Sequence, residues 1–324
     1  MAKLQVFDVV FDGNNTGIYS SGEVVRGFVR IVLGEPKKDV RGIEIKFKGE
    51  AHTHWSEGSG DHRRHYSGRE VYFKEKLLCW GKGKNDPGAS KLCLETGEHR
   101  FPFSFGIPNI PLPFPFESSV GWIRYKVSCK IDRPWKFNHQ TERLFTVTGV
   151  PIDLNTMPQA RHVTYFSSGG HKTRRTFTVV KDKGPGCGEG DVARMDWKPL
   201  LVPSIPPTGA QGCGIIQIEY FVQFEGDISN TPLDAEVKLP VTIGTVPLFQ
   251  PLYGDPSSVV IDQPSYSDNT PPPPSYHVAV DGLQEIPSKS GYDYTFGKLM
   301  YAPQYPTYNL PAQPPTWNPS YPPQ

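Results

Sequence analysis

Apolar and polar residues alternate with a period of two through most of the first 150 positions. That spacing points successive side chains to opposite faces of a β-strand. Val40 to Glu50 is the cleanest case: Ile43, Ile45 and Phe47 fall on one face, and Glu44, Lys46 and Lys48 fall on the other, toward water. Leu4–Phe11, Val24–Val32, Arg100–Pro108, Trp122–Ile131 and Leu144–Val147 repeat the pattern, with Gly, Pro, Asn and Asp between them. Tyr19–Glu23 reads as a turn and Pro111–Pro115 as a stiff extended connection. No apolar stripe at helical spacing is sustained here. The pattern predicts an antiparallel β-sandwich over residues 1–150 with one solvated outer face.

Pro151–Pro158 opens a linker, taken as 151–160. A second β-rich region spans 161–248, its strands expected at Thr176–Val180, Ile215–Phe224 and Glu236–Ile243. The glycine run at 184–190 lacks the Gly-Lys-Ser/Thr ending of a phosphate loop and reads as a hairpin tip. Beyond Pro247 the composition changes. About half of the chain's 34 prolines lie there, with many tyrosines and few aliphatic residues. Such a segment buries too little apolar surface to offset its chain entropy, so 249–324 is expected to be a disordered Pro/Tyr-rich tail.

Within that tail, Thr270-Pro271-Pro272-Pro273-Pro274-Ser275-Tyr276 carries the most specific short signal. Consecutive prolines preset a polyproline II backbone, and the spacing Pro-Pro-x-Tyr is the peptide that WW domains read. Pro273 and Pro274 would fill the aromatic groove and Tyr276 the neighbouring pocket. A solvated linker is the competing reading of the same composition. Secondary WW contacts could come from Pro264 and Tyr266, from Pro314, Pro315 and Trp317, and from Pro319 and Tyr321. Each set departs from the motif, by a missing proline or by tryptophan in place of tyrosine. Tyr305-Pro306-Thr307-Tyr308-Asn309-Leu310 resembles a Tyr-Pro-x(n)-Leu peptide of loose spacing.

Charge narrows the function class. Lys+Arg 34 against Asp+Glu 33 leaves a formal net charge of +1, which disfavours a nucleic-acid binder built on phosphate contacts. The five cysteines are scattered without a Cys-x-x-Cys, so neither a zinc site nor a redox motif is expected. The N-terminal residues lack a signal-peptide core, and no window reaches the ~18 apolar residues of a membrane span. A cytoplasmic, thiol-reduced protein is the expectation. His52, His54, His62 and His65 invite a metal reading, but no carboxylate or thiol set completes a shell, and a solvated hairpin rim is expected. No catalytic residues, cofactor or small-molecule substrate are indicated. Lys37, Lys38, Arg41, Lys46 and Lys48 make the early sheet locally basic, a candidate patch for an anionic membrane surface or a phosphorylated cargo tail.

Several strings taken together resemble the arrestin-domain-containing proteins, the α-arrestins. They are Ile18–Gly27, Val40–Ile43 with Gly49-Glu50-Ala51 and Trp55, Phe103–Phe105 with Ile107-Pro108, and Ile123–Val127 followed by Arg133-Pro134-Trp135. Ile218-Glu219-Tyr220 and Leu239–Leu248 continue the resemblance, which covers roughly residues 4–248. It implies an all-β fold of tandem antiparallel β-sandwiches. It also implies adaptor function: the sandwiches engage a membrane receptor or transporter, and a Pro-Pro-x-Tyr tail recruits a WW-domain HECT-type ubiquitin ligase. Recruitment from the cytoplasm to the plasma membrane and endosomes follows from that role. The Pro-Gly-Glu turn that opens the family's second sandwich has no counterpart in 151–248. The second domain therefore reads as shortened by about 50 residues against a typical ~100-residue sandwich. A receptor-binding signalling scaffold without ligase recruitment, a retromer-type sorting subunit and an enzyme using the histidine cluster are the alternatives.

Overall fold

The computed structural model describes residues 4–13, 17–87, 92–153, 166–168, 170–188, 190–192, 202–229, 235–246, 294–295 and 303–306. Among the described residues, eleven strands build the first half. They are β1 (Leu4–Phe11), β2 (Ile18–Ser20), β3 (Val24–Leu33), β4 (Lys37–Val40), β5 (Gly42–Glu57), β6 (Arg64–Gly81), β7 (Leu92–Leu94), β8 (Gly97–Gly106), β9 (Phe116–Ser118), β10 (Gly121–Asp132) and β11 (His139–Thr148). Five shorter ones follow: β12 (Phe166–Ser168), β13 (His171–Thr173), β14 (Tyr220–Gly226), β15 (Ala235–Val241) and β16 (Tyr294–Thr295).

One sheet has the order β1-β3-β8. The larger has the path β16-β11-β10-β5-β6, with β9 beside β10 and β2 beside β11. Pairing is antiparallel except where β2 and β16 run parallel to β11. The period-two pattern becomes the burial pattern: along β10, buried and half-buried residues alternate from Gly121 to Ile131. Ile43, Ile45 and Phe47 of β5 meet Ile123, Tyr125, Val127, Cys129 and Ile131 of β10 in one core with Val25, Val29 and Ile31 of β3. Each such side chain contributes about 1.5–3 kcal/mol on full burial.

Aromatic rings fill the centre. Phe47 stacks on Phe105 with centroids 4.6 Å apart, and Phe11, Tyr19 and Phe145 meet edge-to-face at 5.7–6.0 Å. Gly49 is required where this packing is tightest. A Cβ there would lie 2.6 Å from the Phe73 ring and 2.8 Å from the Tyr125 ring. All five cysteines are free thiols, and Cys129 serves as a small buried hydrophobe.

Among its described residues the second half is also all-β, with the antiparallel pairs β12–β13 and β14–β15. Glu236–Ile243 forms as expected apart from its last residues, because β15 pairs with β14 from Ala235 to Val241. The strand expected at Thr176–Val180 does not form, and Phe177 and Val180 are exposed. Ile215–Phe224 is divided. Ile216 and Ile218 are buried against the first sandwich, and only Tyr220 onward enters a ladder. Gly214 N–H donates to the Glu70 carboxylate at 2.8 Å, fastening the same segment. Part of the linker is fixed as well, since the Ile152 N–H donates to Thr245 Oγ1 at 2.7 Å and Asp153 bridges to Val246.

Candidate functional site

Strand pairing assembles a polar outer face on the larger sheet. Because directly opposed residues share a face, Lys46 and Lys48 of β5 line up with Lys76 and Lys74 of β6 and with Ser128 and Lys126 of β10. Lys130 opposes Glu44 in the same row. The five basic residues noted in the sequence thus resolve differently. Lys38 is exposed, and Lys46 is half-buried on the lysine face. Lys48 was expected to face water, but it is 4% exposed and ion-paired to Glu50. Arg69 reaches the same carboxylate at 2.6 Å. Arg41 is committed to Asp132 at 2.5 Å. Lys37 is buried at 2% exposure on β4.

Sequence reasoning missed Lys74, Lys76, Lys126 and Lys130, although Lys74-Glu75-Lys76 and Lys126 to Lys130 carry the spacing that a strand brings to one face. Lys126 pairs with Glu142, and Lys130 lies 3.5 Å from Glu44. Lys74 and Lys76 are exposed, with no ion pair among the described residues. Burial, then the charges of Lys48, Lys74 and Lys126, lowers the Lys46 pKa. The Glu50 carboxyl is held below its usual value: burial would raise it, but Lys48 and Arg69 outweigh that.

Toward the other end of β5 the face turns aromatic. His52 stacks on Trp122 at 5.5 Å, the Arg124 guanidinium lies 4.4 Å over the same indole, and His54 stacks on His65 at 6.1 Å. His52 Nε2 pairs with Ser67 Oγ and His65 Nδ1 with Ser56 Oγ. Among the described residues no group of three or more His, Cys, Asp or Glu could hold a metal ion.

The turn between β10 and β11 corrects a second expectation. Arg133-Pro134-Trp135 reads in the sequence as the close of a strand with the indole packed, yet Trp135 is fully exposed at a left-handed φ of 65°. The Lys136 N–H to Arg133 carbonyl bond and the ion pair of Lys136 with Asp39 at 2.7 Å hold the turn in that form. Beneath it lies a cationic cluster. Arg133 Nη1 is 3.3 Å from His139 Nε2. Burial, with Lys37 and Arg133 adding repulsion, pushes the His139 pKa down to about 4.

Burial first, then Arg133 and Lys136, lowers Lys37 to about 8 from 10.5. Because the folded value is the lower one, protonated Lys37 opposes folding in full below about pH 8. That cost falls as pH rises from about 8 toward 10.5. Lys37→Met is therefore expected to stabilise the protein by roughly 1–3 kcal/mol at pH 7, with the gap to wild type narrowing by pH 9.5. Urea midpoints at the two pH values measure this, and a variant less stable than wild type at pH 7 would contradict it.

Pro273, Pro274, Tyr276, Pro264, Tyr266, Pro314, Pro315, Trp317, Pro319 and Tyr321 lie outside the described residues. The described parts of the tail are placed on the first sandwich, where the sequence composition gave no ordered residue. Tyr294–Thr295 pairs with β11, and Tyr305 is buried at 4% exposure. The Tyr305 hydroxyl donates to the Pro115 carbonyl at 3.0 Å, the kind of partner that a buried tyrosine usually finds. Among the described residues no helix is long and apolar enough to cross a membrane.

The comparisons agree with this architecture. Residues 7–155 match the profile of the arrestin (or S-antigen) N-terminal domain, and 160–248 match that of the arrestin C-terminal domain. Arrestin domain-containing protein 17 of Caenorhabditis elegans is 27% identical over 322 residues, covering 78% of this chain and 73% of the relative. Arrestin domain-containing protein 1 of Homo sapiens is 25% identical over 305 residues, covering 76% of this chain and 66% of the relative. Among solved structures, Spo0M, a sporulation control protein from Bacillus subtilis, aligns at a TM-score of 0.29 and 18% identity, over 45% of this chain and 49% of its own. That likeness is too slight to bear on function. The two adjoining domain profiles, which span most of the chain, make it a member of the arrestin domain-containing proteins, a family of adaptors.

Proposed function

We propose that this chain links membrane cargo to WW-domain HECT-type ubiquitin ligases, promoting cargo ubiquitination, endocytosis and endosomal sorting. The observation that carries the reading is Pro273-Pro274-Ser275-Tyr276, placed in a tail that follows the arrestin-type domains. Residues 1–150 and 161–248, joined by 151–160, form the cargo-facing part, and 249–324 deliver the ligase. The chain performs no chemistry itself. Its contribution is proximity, which raises the effective concentration of the ligase at cargo lysines.

A cytoplasmic protein drawn to the plasma membrane and endosomes fits the lysine-rich outer face. Each basic group near an anionic leaflet contributes about 1 kcal/mol. Lys38, Lys46, Lys74 and Lys76 are the residues available for that contact, in place of the buried Lys37 and Lys48 and the paired Arg41.

Ending the chain after Leu248 separates this reading from a signalling scaffold. Co-precipitation of cargo is expected to persist while ligase co-precipitation and cargo ubiquitination are lost. Unchanged cargo ubiquitination would favour the scaffold.

A further inference from the structure

The histidines near the β5–β6 hairpin form an ordered row on the outer face of the larger sheet. Register places Trp122 of β10 opposite His52, Ser67 of β6 opposite His54, and His65 opposite Ser56. The side chains follow one another as a stack. The Arg124 guanidinium lies 4.4 Å over the Trp122 indole, and Trp122 is 5.5 Å from His52. His52 is 6.4 Å from His54, which is 6.1 Å from His65. His54 and His65 are exposed, and His52 is half-buried. The charged groups facing the row are mainly cations: Arg69 opposes His52, Arg124 lies on the same indole, and Arg63 reaches Ser56 beside His65. Glu50 and Glu117, the carboxylates of this face beside the row, already hold Arg69 and Arg124. At the hairpin tip Glu57 opposes Arg64 and accepts the Trp55 indole N–H at 3.0 Å, and Asp61 precedes His62.

We propose that the outer face of the larger sheet docks on an anionic bilayer and takes up protons at His52, His54 and His65 as it does so. The inference rests on the lysine-face reading above and deepens it. The row continues the face that carries Lys46, Lys74 and Lys76, because every second residue of β5 from Glu44 to His54 points to one side. At ~3.3 Å per residue, Lys46 to His54 spans roughly 26 Å. A flat surface of that length, three strands wide, meets many lipid headgroups at once, whereas an acidic peptide would cover one strip of it. Trp122, half-buried within the row, is of the residue type that settles at headgroup level.

Histidine is the side chain whose charge ordinarily changes between about pH 5 and 8. Three protons on the row put like charges on rings 6.1 and 6.4 Å apart, with arginines alongside. An anionic leaflet offsets that repulsion. Its surface potential of about −30 mV also concentrates protons roughly threefold at the membrane. Docking and protonation therefore favour each other, by the reciprocity that holds for any two linked binding events. Each charge gained near the surface strengthens binding by about fivefold. A modest fall in pH thus tightens the contact.

The test is co-sedimentation of the full-length chain with phosphatidylcholine vesicles, with and without phosphatidylglycerol, at about pH 7.8 and about pH 6.0. The phosphodiester charge of phosphatidylglycerol is constant over that range. Wild-type affinity for the anionic vesicles is expected to rise at least about tenfold at the lower pH. The triple variant His52→Gln, His54→Gln, His65→Gln is expected to change by less than about twofold between the two. His54→Gln with His65→Gln, confined to exposed positions, replaces it if the triple variant has lost the wild-type thermal transition, and is expected to gain no more than about threefold. Lys74→Gln with Lys76→Gln is expected to weaken binding at both pH values and to keep the ratio between them. A smaller wild-type gain, or a gain in the histidine variants equal to that of wild type, would overturn the proposal and leave the lysine face standing. Absence of binding to the anionic vesicles at both pH values would remove the lysine-face reading as well. Histidine-dependent binding of polyglutamate without binding of the vesicles would assign the row to an acidic protein segment, against the proposal.

Discussion

Tyr276→Ala is expected to abolish capture of the full-length chain by an immobilised array of WW domains. A polyproline II peptide binds through few contacts, and its affinity depends on rings set into preformed pockets. The prolines at 271–274 hold the backbone extended in advance, so little ordering entropy opposes docking. The tyrosine ring occupies its own pocket, and an aromatic anchor of that kind contributes about 2 kcal/mol or more, roughly thirtyfold in Kd. A single weak motif cannot absorb that loss. The imperfect companions at Pro264–Tyr266, Pro314–Trp317 and Pro319–Tyr321 could add avidity to an intact primary site, but each lacks one element of the motif. Undiminished capture of the variant would refute the assignment unless Tyr266→Ala or Trp317→Ala in the same background then removed it.

Tyr125→Ala is expected to cost about 3–5 kcal/mol of stability, the range for removing a large buried ring. Tyr125 is fully buried in β10, and its ring lies 6.1 Å from Phe145 and 6.0 Å from Phe73. Gly49 gives it space at 2.8 Å from where a Cβ would stand. Truncation leaves a cavity between the two sheets and strips the donor from the Pro113 carbonyl. Tyr125→Phe isolates the second effect. It keeps the ring and is expected to cost only about 1–3 kcal/mol, the penalty for one buried acceptor left without a partner. Guanidinium unfolding of the three chains measures the series. An alanine variant within 0.5 kcal/mol of wild type, taken as roughly the scatter of an ordinary surface substitution, would contradict the packing described.

The first sandwich was legible because its strands are buried on one face only, which writes a period of two into the sequence. β1, β3, β5, β8 and β10 all follow from that pattern. β6 does not, because it ends the sheet's strand path, its register against β5 shifts at Ile43/Glu44 and at Gly49/Glu50, and Val71, Leu77 and Leu78 are left exposed. Alternation put Lys48 in line with Lys46 but could not foresee its burial in an ion pair with Glu50, which Arg69 shares. Thr176–Val180 has the composition of a strand but is not one, since composition alone does not decide whether a segment joins a sheet. The burial of Tyr305 was the least readable feature. Its partner, Pro115, is 190 residues away, and the tyrosine sits among many others in a proline-rich tail. The Pro-Pro-x-Tyr motif is the opposite case, since its recognition is local and needs no fold to be read.

The central claim is that Pro273-Pro274-Ser275-Tyr276 couples cargo to a ubiquitin ligase. The most direct measurement compares ubiquitin-remnant peptides of surface proteins in cells expressing the wild-type chain or Tyr276→Ala at equal levels. A defined set of receptor or transporter lysines is expected to lose modification in the variant while those proteins accumulate at the plasma membrane. An unchanged ubiquitination profile, with unchanged surface abundance, would contradict the account.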